Sequence, residues 1–317
     1  MSARYLAVLV VVALIPWLGG CSGSNDNQPG PAPGLSYVLD LILGASGSGD
    51  GEFESPTGVA ADSSGALYVV DAGNHRVQKL DSDGAFVFAF GTLGSDPGEL
   101  RNPSGVAVSG SSVYVSDPGN SRVQVFTTDG GFLREFGSQW PEGGSLRTPG
   151  ALAVGTSTVA VADREQHRVV VFDMDGQVVR TIGNLGNGDG EFQKVSGLAG
   201  SGSTLYVADR DRSDIQAFQV STGAYVETLG RVGSDLGELR GPTALAADGS
   251  GLWVVDAGND RIQLLALTGA AQAVVRPEET PAGSLVNPSG IAAWRGGFVV
   301  ADTGQDRLVS FKPEPDA

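Results

Sequence analysis

A ten-residue phrase recurs six times along the chain: "DAGNHRVQKL" from Asp71, "DPGNSRVQVF" from Asp117, "DREQHRVVVF" from Asp163, "DRDRSDIQAF" from Asp209, "DAGNDRIQLL" from Asp256 and "DTGQDRLVSF" from Asp302. The intervals are 46, 46, 46, 47 and 46 residues. So regular a period imposes a repeat architecture, in which each unit buries its apolar face against its neighbours. In the first unit, "TGVAAD", "ALYVVD", "RVQKLD" and "AFVFAF" are short apolar or alternating runs, separated by the turn-forming stretches "SSG", "AGNH" and "SDG". Beyond the N-terminal apolar stretch no segment carries a 3.6-residue apolar period. The 48 glycines are consistent with many turns.

Four antiparallel strands in a unit of about 46 residues describe a propeller blade. The spacing predicts an all-β fold: a six-bladed β-propeller, with blades at 57–91, 103–137, 149–183, 195–230, 242–276 and 288–311. The fourth strand recurs as "GFLREFG", "QVVRTIG", "AYVETLG" and, more weakly, "AQAVVR". The sixth unit lacks one. "SYVLDLILG" (36–44) has the same pattern and stands alone before the first blade, so it is expected to complete blade six and close the ring. Closure would satisfy backbone groups that an open edge leaves unpaired. Residues 313–317 read as a tail.

The N-terminus reads differently. Arg4 precedes an apolar run from Leu6 to Leu18 that is short for a membrane span, and Leu18-Gly19-Gly20-Cys21 resembles a bacterial lipobox. The chain's single cysteine stands where that signal requires it, which also excludes an intramolecular disulfide. The expectation is a lipoprotein signal peptide over 1–20, a lipid on Cys21, and a flexible Gly/Pro/Ser/Asn tether over 21–35. Ser22 after the lipidated cysteine resembles an outer-membrane address if the cell is Gram-negative. The localisation implied is the bacterial cell envelope, with membrane attachment through lipid alone.

The repeated phrase, with "GDGEFESPTGVAADSSGALYVVDAGNHRVQKLDSDGAFVFAFG" in the first unit and "GELRNPSGVAV", "VYVSDPGNSRVQVF" and "GGFLREFG" in the second, resembles the NHL-repeat family of six-bladed β-propellers. The resemblance covers roughly residues 36–311 and speaks to fold more than to chemistry. Three blades depart from it: "EQH" replaces "AGN" in blade three, Asp214 occupies the arginine slot of blade four, and Gln305 replaces asparagine in blade six.

A residue type needed to build a hairpin must recur in every hairpin, whereas a catalytic residue need occur once. Repetition therefore favours a structural joint, in which the aspartate accepts turn N–H groups or pairs with the arginine and Gly73 and Asn74 take left-handed backbone angles. Arg76, Arg122, Arg168, Arg261 and Arg307 could still line one face as a binding surface. The channel-mouth positions are Thr57, Ser104, Gly150, Ser196, Thr243 and Ser289, a ring of small neutral groups. His75 and His167, the two histidines, fall in turns two blades apart. Propeller hydrolases of the gluconolactonase type need inward Glu, Asn and Asp ligands, and related amidating lyases use zinc-binding histidines, so a non-enzymatic reading is preferred. A metal-dependent lyase or hydrolase at the channel mouth is the alternative.

The loops between blades carry Asp50, Glu52, Asp96, Glu99, Asp189, Glu191, Asp235 and Glu238 toward the face that holds the turns. No cofactor is predicted; calcium is the metal such oxygen-rich spacing could hold, with Asp50, Glu52, Asp189 and Glu191 as weak candidates, against the plainer reading of a solvated rim. Trp140 occurs in the blade-three loop, either as an exposed contact anchor or folded onto the blade, while Trp253 and Trp294 sit in strand runs and are expected in the core. The formal charge of −16 opposes nucleic acid and anionic lipid surfaces, and disfavours the RNA binding known among some NHL propellers. What remains is a binding or scaffolding module for a protein, peptide or glycan.

Overall fold

The computed structural model describes residues 36–140 and 144–314. The expected signal peptide, Cys21 and the tether lie outside the described residues, as does the end of the tail. The described residues form six four-stranded antiparallel sheets. Blade one is β2 (Pro56–Ala61), β3 (Leu67–Asp71), β4 (Arg76–Leu80) and β5 (Phe86–Phe90). Blade two is β6 (Val106–Ser109), β7 (Ser112–Asp117), β8 (Arg122–Thr127) and β9 (Phe132–Phe136). Blades three and four follow as β10 (Pro149–Val154) to β13 (Val178–Ile182) and β14 (Val195–Ser201) to β17 (Tyr225–Leu229). Blade five runs from β18 (Pro242–Ala247) to β21 (Ala271–Val275).

Blade six takes β22 (Gly290–Trp294), β23 (Gly297–Asp302) and β24 (Arg307–Pro313) from the C-terminal end and β1 (Tyr37–Leu43) from the N-terminal end. β1 pairs antiparallel with β24 from Tyr37↔Pro313 to Leu43↔Leu308, slipping register between Leu39 and Leu41. β24 thus continues two residues past the blade boundary read from the sequence, because β1 offers it partners to Pro313. β1 also packs sideways: the Tyr37 ring stands edge-on to Trp253 of blade five with centroids 5.0 Å apart.

Alternation along each strand sends one side chain to each neighbouring blade, so the core is a set of clusters between blades. Phe90 meets Phe126 across the first interface at 4.7 Å between centroids, Phe136 meets Phe172 across the second at 4.8 Å, and Trp253 meets Phe298 across the fifth at 4.4 Å. Such pairs contribute about 0.5–1.5 kcal/mol each beyond area burial. Trp253 and Trp294 are buried, as their strand positions implied.

At the axis, crowding replaces greasy packing. A Cβ on Gly58 would sit 2.8 Å from the Ser104 carbonyl oxygen of blade two, and one on Gly197 would sit 2.9 Å from the Leu245 nitrogen of blade five. The glycines that follow Thr57, Ser104, Ser196 and Ser289 at the heads of inner strands let two backbones approach.

Candidate functional site

The face that carries the turns between second and third strands also carries the loops between blades, and one lattice joins them. Asp71 is fully buried. Its Oδ1 accepts the Glu54 N–H at 2.8 Å and its Oδ2 accepts from Arg76 Nε at 2.7 Å and Gln78 Nε2 at 2.9 Å, while Asn74 Nδ2 donates to both oxygens at 3.0 Å. Arg76 continues to the carbonyls of Gly49 and Glu52, and Gln78 to the Glu52 carbonyl and the Gly51 N–H. The aspartate thus fastens its own turn and, through Arg and Gln, the loop that enters the blade.

The pattern repeats with pairs Asp117–Arg122 at 2.9 Å, Asp163–Arg168 at 3.0 Å, Asp256–Arg261 at 2.7 Å and Asp302–Arg307 at 2.7 Å. In blade four the polarity is inverted. Arg212, in the asparagine slot, lies 2.8 Å from Asp214, in the arginine slot, and Arg212 Nη1 supplies the donor to the Gly188 carbonyl at 2.9 Å.

The arginines proposed as a binding face are therefore bound to their own loops: Arg122 and Arg261 are buried, and Arg76, Arg168 and Arg307 half-buried. Left-handed angles fall one residue later than expected. Gly73 and Asn74 do not take them; His75, Ser121, His167, Ser213, Asp260 and Asp306 do, with φ between 50° and 59°. Gly73 is small for a different reason, since a Cβ there would strike the Glu54 carbonyl.

That left-handed residue aims its side chain at the next blade. His75 Nδ1 accepts the Asn102 N–H at 3.1 Å, Ser121 Oγ donates to the Arg147 carbonyl at 3.2 Å, and His167 Nδ1 donates to the Gln193 carbonyl at 2.6 Å. Ser213 Oγ accepts the Gly241 N–H at 3.1 Å, and Asp306 Oδ1 accepts the Ser55 N–H at 2.7 Å across the seam. Asp260 makes no such bond among the described residues. Both histidines are thus inter-blade latches, with the ring nitrogen an acceptor in one and a donor in the other.

The loop glutamates cap their own loops: Glu52 accepts the Gly49 N–H at 2.9 Å, Glu99 the Asp96 N–H at 3.0 Å, Glu191 the Gly188 N–H at 2.8 Å and Glu238 the Asp235 N–H at 3.0 Å. The Gly188 N–H and then the Asn184 side chain hold the Glu191 carboxyl below its ordinary value. Arg231 and then the Asp235 N–H do so for Glu238. Of the calcium candidates, Glu52 and Glu191 are engaged in this way and Asp50 and Asp189 are exposed. Among the described residues no three His, Cys, Asp or Glu side chains converge as a metal site.

Trp140 folds onto its blade: its ring lies edge-on to Phe172 with centroids 6.1 Å apart, and the Arg168 guanidinium stands 5.7 Å from its centroid. It covers the blade-three ion pair rather than standing free as an anchor. Among the described residues, the apolar groups that protrude furthest from the loops between blades are Leu93, Leu185 and Val232, at 61%, 58% and 66% exposure. They occupy equivalent loop positions, each three or four residues before an exposed aspartate: Asp96, Asp189 and Asp235. In the sequence the charges of these loops are conspicuous, while nothing marks the residue two after the glycine that ends blades one, three and four as exposed.

The channel mouth also differs from expectation. Thr57 Oγ1 donates to the Ser104 carbonyl at 2.9 Å, Ser196 Oγ to Pro242 at 2.7 Å, Thr243 Oγ1 to Pro288 at 2.7 Å and Ser289 Oγ to Thr57 at 3.2 Å. Each hydroxyl stitches its inner strand to the next. The circuit breaks around blade three, where Gly150 has no hydroxyl and the Arg164 side chain occupies the room a Cβ would need. Arg164 Nη2 donates to Ser104 Oγ at 2.9 Å. The mouth is therefore not wholly neutral: it holds one guanidinium, whose pKa burial pushes below the ordinary arginine value.

Comparison with known proteins agrees with this geometry. Residues 53–80 and 100–126 match the family described as NHL repeat, and residues 146–230 match one described as a 6-bladed beta-propeller. "RING finger protein nhl-1" of Caenorhabditis elegans is 41% identical over 68 residues, which are 22% of this chain and 7% of that protein. The chain thus spans a small fraction of that relative's length. Solved structures share the fold across most of the chain. A streptogramin B lyase superposes with TM-score 0.62 at 15% identity, covering 88% of this chain and 98% of its own. A chain of a nidogen/laminin complex superposes with TM-score 0.58 at 14% identity, covering 84% and 98%. The chain carries NHL repeats in a six-bladed β-propeller.

Proposed function

We propose that the chain is a non-enzymatic binding and scaffolding propeller that offers its loop-and-turn face to a protein or peptide, held by a lipid on Cys21 at a bacterial cell envelope. The observation that carries this reading is the pairing of protruding Leu93, Leu185 and Val232 with exposed Asp96, Asp189 and Asp235 on loops whose backbones are already fixed. A surface held in one shape from below loses little freedom on association. Its chemistry suits a partner with apolar contacts and basic flanks; the protruding groups are aliphatic, which disfavours a glycan. A propeller of this fold within a nidogen/laminin complex supports protein partnership by analogy of fold.

The test is capture from envelope extracts by the full chain and by Leu93→Ser/Leu185→Ser/Val232→Ser. A partner retained by the first and lost by the second supports the reading; identical captures sink it. Anchoring is tested by radiolabelled palmitate in bacterial cells, with incorporation expected for the native chain and absent for Cys21→Ser. The alternative, a metal-dependent lyase or hydrolase, draws on the likeness in fold to streptogramin B lyase. Stoichiometric zinc or another divalent ion in the purified chain would favour it.

A further inference from the structure

Arg164 differs from the arginines that pair with an aspartate in the turn row. Arg76, Arg122, Arg168, Arg261 and Arg307 each meet an aspartate within 3.0 Å, and Arg212 meets Asp214. Arg164 enters no ion pair among the described residues, although the chain carries a formal charge of −16. Its one side-chain hydrogen bond among them goes to Ser104 Oγ. Arg164 also lines a channel of about 320 Å³, whose other walls are neutral groups such as Ala60, Ala107, Ala153 and Ala246.

A guanidinium withdrawn from water is costly unless its donors and its charge are matched. This one is kept at the mouth by a specific vacancy: blade three lacks the hydroxyl that four other inner strands use to stitch the ring, and the side chain takes that space. The corresponding Arg210 of blade four is exposed instead.

We propose that the channel mouth beside blade three is a carboxylate-binding site, in which Arg164 and Ser104 receive the anionic end of a small organic acid or of a polypeptide C-terminus. A planar fork of donors matches two carboxylate oxygens. A phosphate dianion would meet the chain's negative field with a single cation to offset it, which favours the singly charged group. The channel is near the lower end of small-ligand cavities, about 300–1,000 Å³, so the body of the ligand is compact or extended along the axis. This inference stands apart from the protein-binding face, which uses the loop tips.

The test is an NMR titration of the full chain, following the Arg164 Nε–H resonance. The probes are acetate, butyrate and hexanoate, and a tripeptide as free acid and as amide, with sodium chloride at matched ionic strength as control. Expected is a saturable shift with a carboxylate probe and none with chloride or the amide. A tighter response to the tripeptide acid assigns a polypeptide terminus; a tighter response to butyrate or hexanoate assigns a small acid. Affinity, measured in parallel by calorimetry, should fall at least tenfold in Arg164→Gln and in Gly150→Ser, whose new side chain evicts the guanidinium without removing it, and should be unchanged in Arg210→Gln. If Arg164→Gln unfolds, Gly150→Ser and the wild-type resonance still decide. No saturable response to any carboxylate, or undiminished affinity in a folded Arg164→Gln or in Gly150→Ser, overturns the proposal. Capture through the loop tips should be indifferent to both variants.

Discussion

Asp256, itself fully buried, accepts from Arg261, Asn259 and Gln263 and from the Arg240 N–H, all within 3.1 Å. Asp256→Ala would strand the buried Arg261, and a loss of about 3–5 kcal/mol is expected, read from the shift in urea midpoint. Glu191 gives a pH signature. Its folded pKa is depressed, so its stabilising contribution is present above the unfolded glutamate value of about 4.3 and is lost as pH falls through the folded one. The melting-temperature gap between the native chain and Glu191→Gln should hold steady from neutral pH to about 5 and shrink in more acid buffer; a gap independent of pH contradicts this. The aspartate–arginine pairs were legible in the sequence because their identities repeat. The latches were not: His75, Ser121, His167, Ser213 and Asp306 share a backbone angle and a direction, and several chemistries fill that slot. Arg164 was hidden for a related reason, since its placement depends on the glycine fourteen residues earlier, and neither departure is informative alone.

At the level of strands and turns, blade four tests whether position or pairing matters. Arg212→Asn leaves Asp214 without its cation, and Asp214→Arg sets two arginines together, so each alone should destabilise. The double variant restores the asparagine and arginine slots of blades one, two and five, and should recover most of the loss. A double-mutant cycle should give a coupling of about 1–3 kcal/mol; additivity would show the inversion to be incidental. β1 was readable as the missing fourth strand because its alternation matched the other outer strands, and the pairing to Pro313 bears that out. Deleting residues 36–44 should lower the melting temperature and produce concentration-dependent association, followed by light scattering, because β24 would become an open edge and Tyr37 would leave its place against Trp253. An unchanged melting curve would mean that the ring is held by the other interfaces alone.

For the molecule as a whole, repetition settled the number of blades and the location of the core, and it concealed where the blades differ. The protruding Leu93, Leu185 and Val232 are spread over loops that otherwise look interchangeable, so only burial singles them out. The seam has its own implication. The Glu314 N–H donates to the Ser36 carbonyl at 2.8 Å, which puts the two boundaries of the toroid side by side. A peptide bridge of a few residues could fuse them, and fresh termini could be cut at a hairpin tip such as exposed Gly110, where a Cβ would meet nothing within 4 Å. A cyclically rearranged gene of that kind should yield the same disc, with its covalent gap moved from the sixth sector to the second.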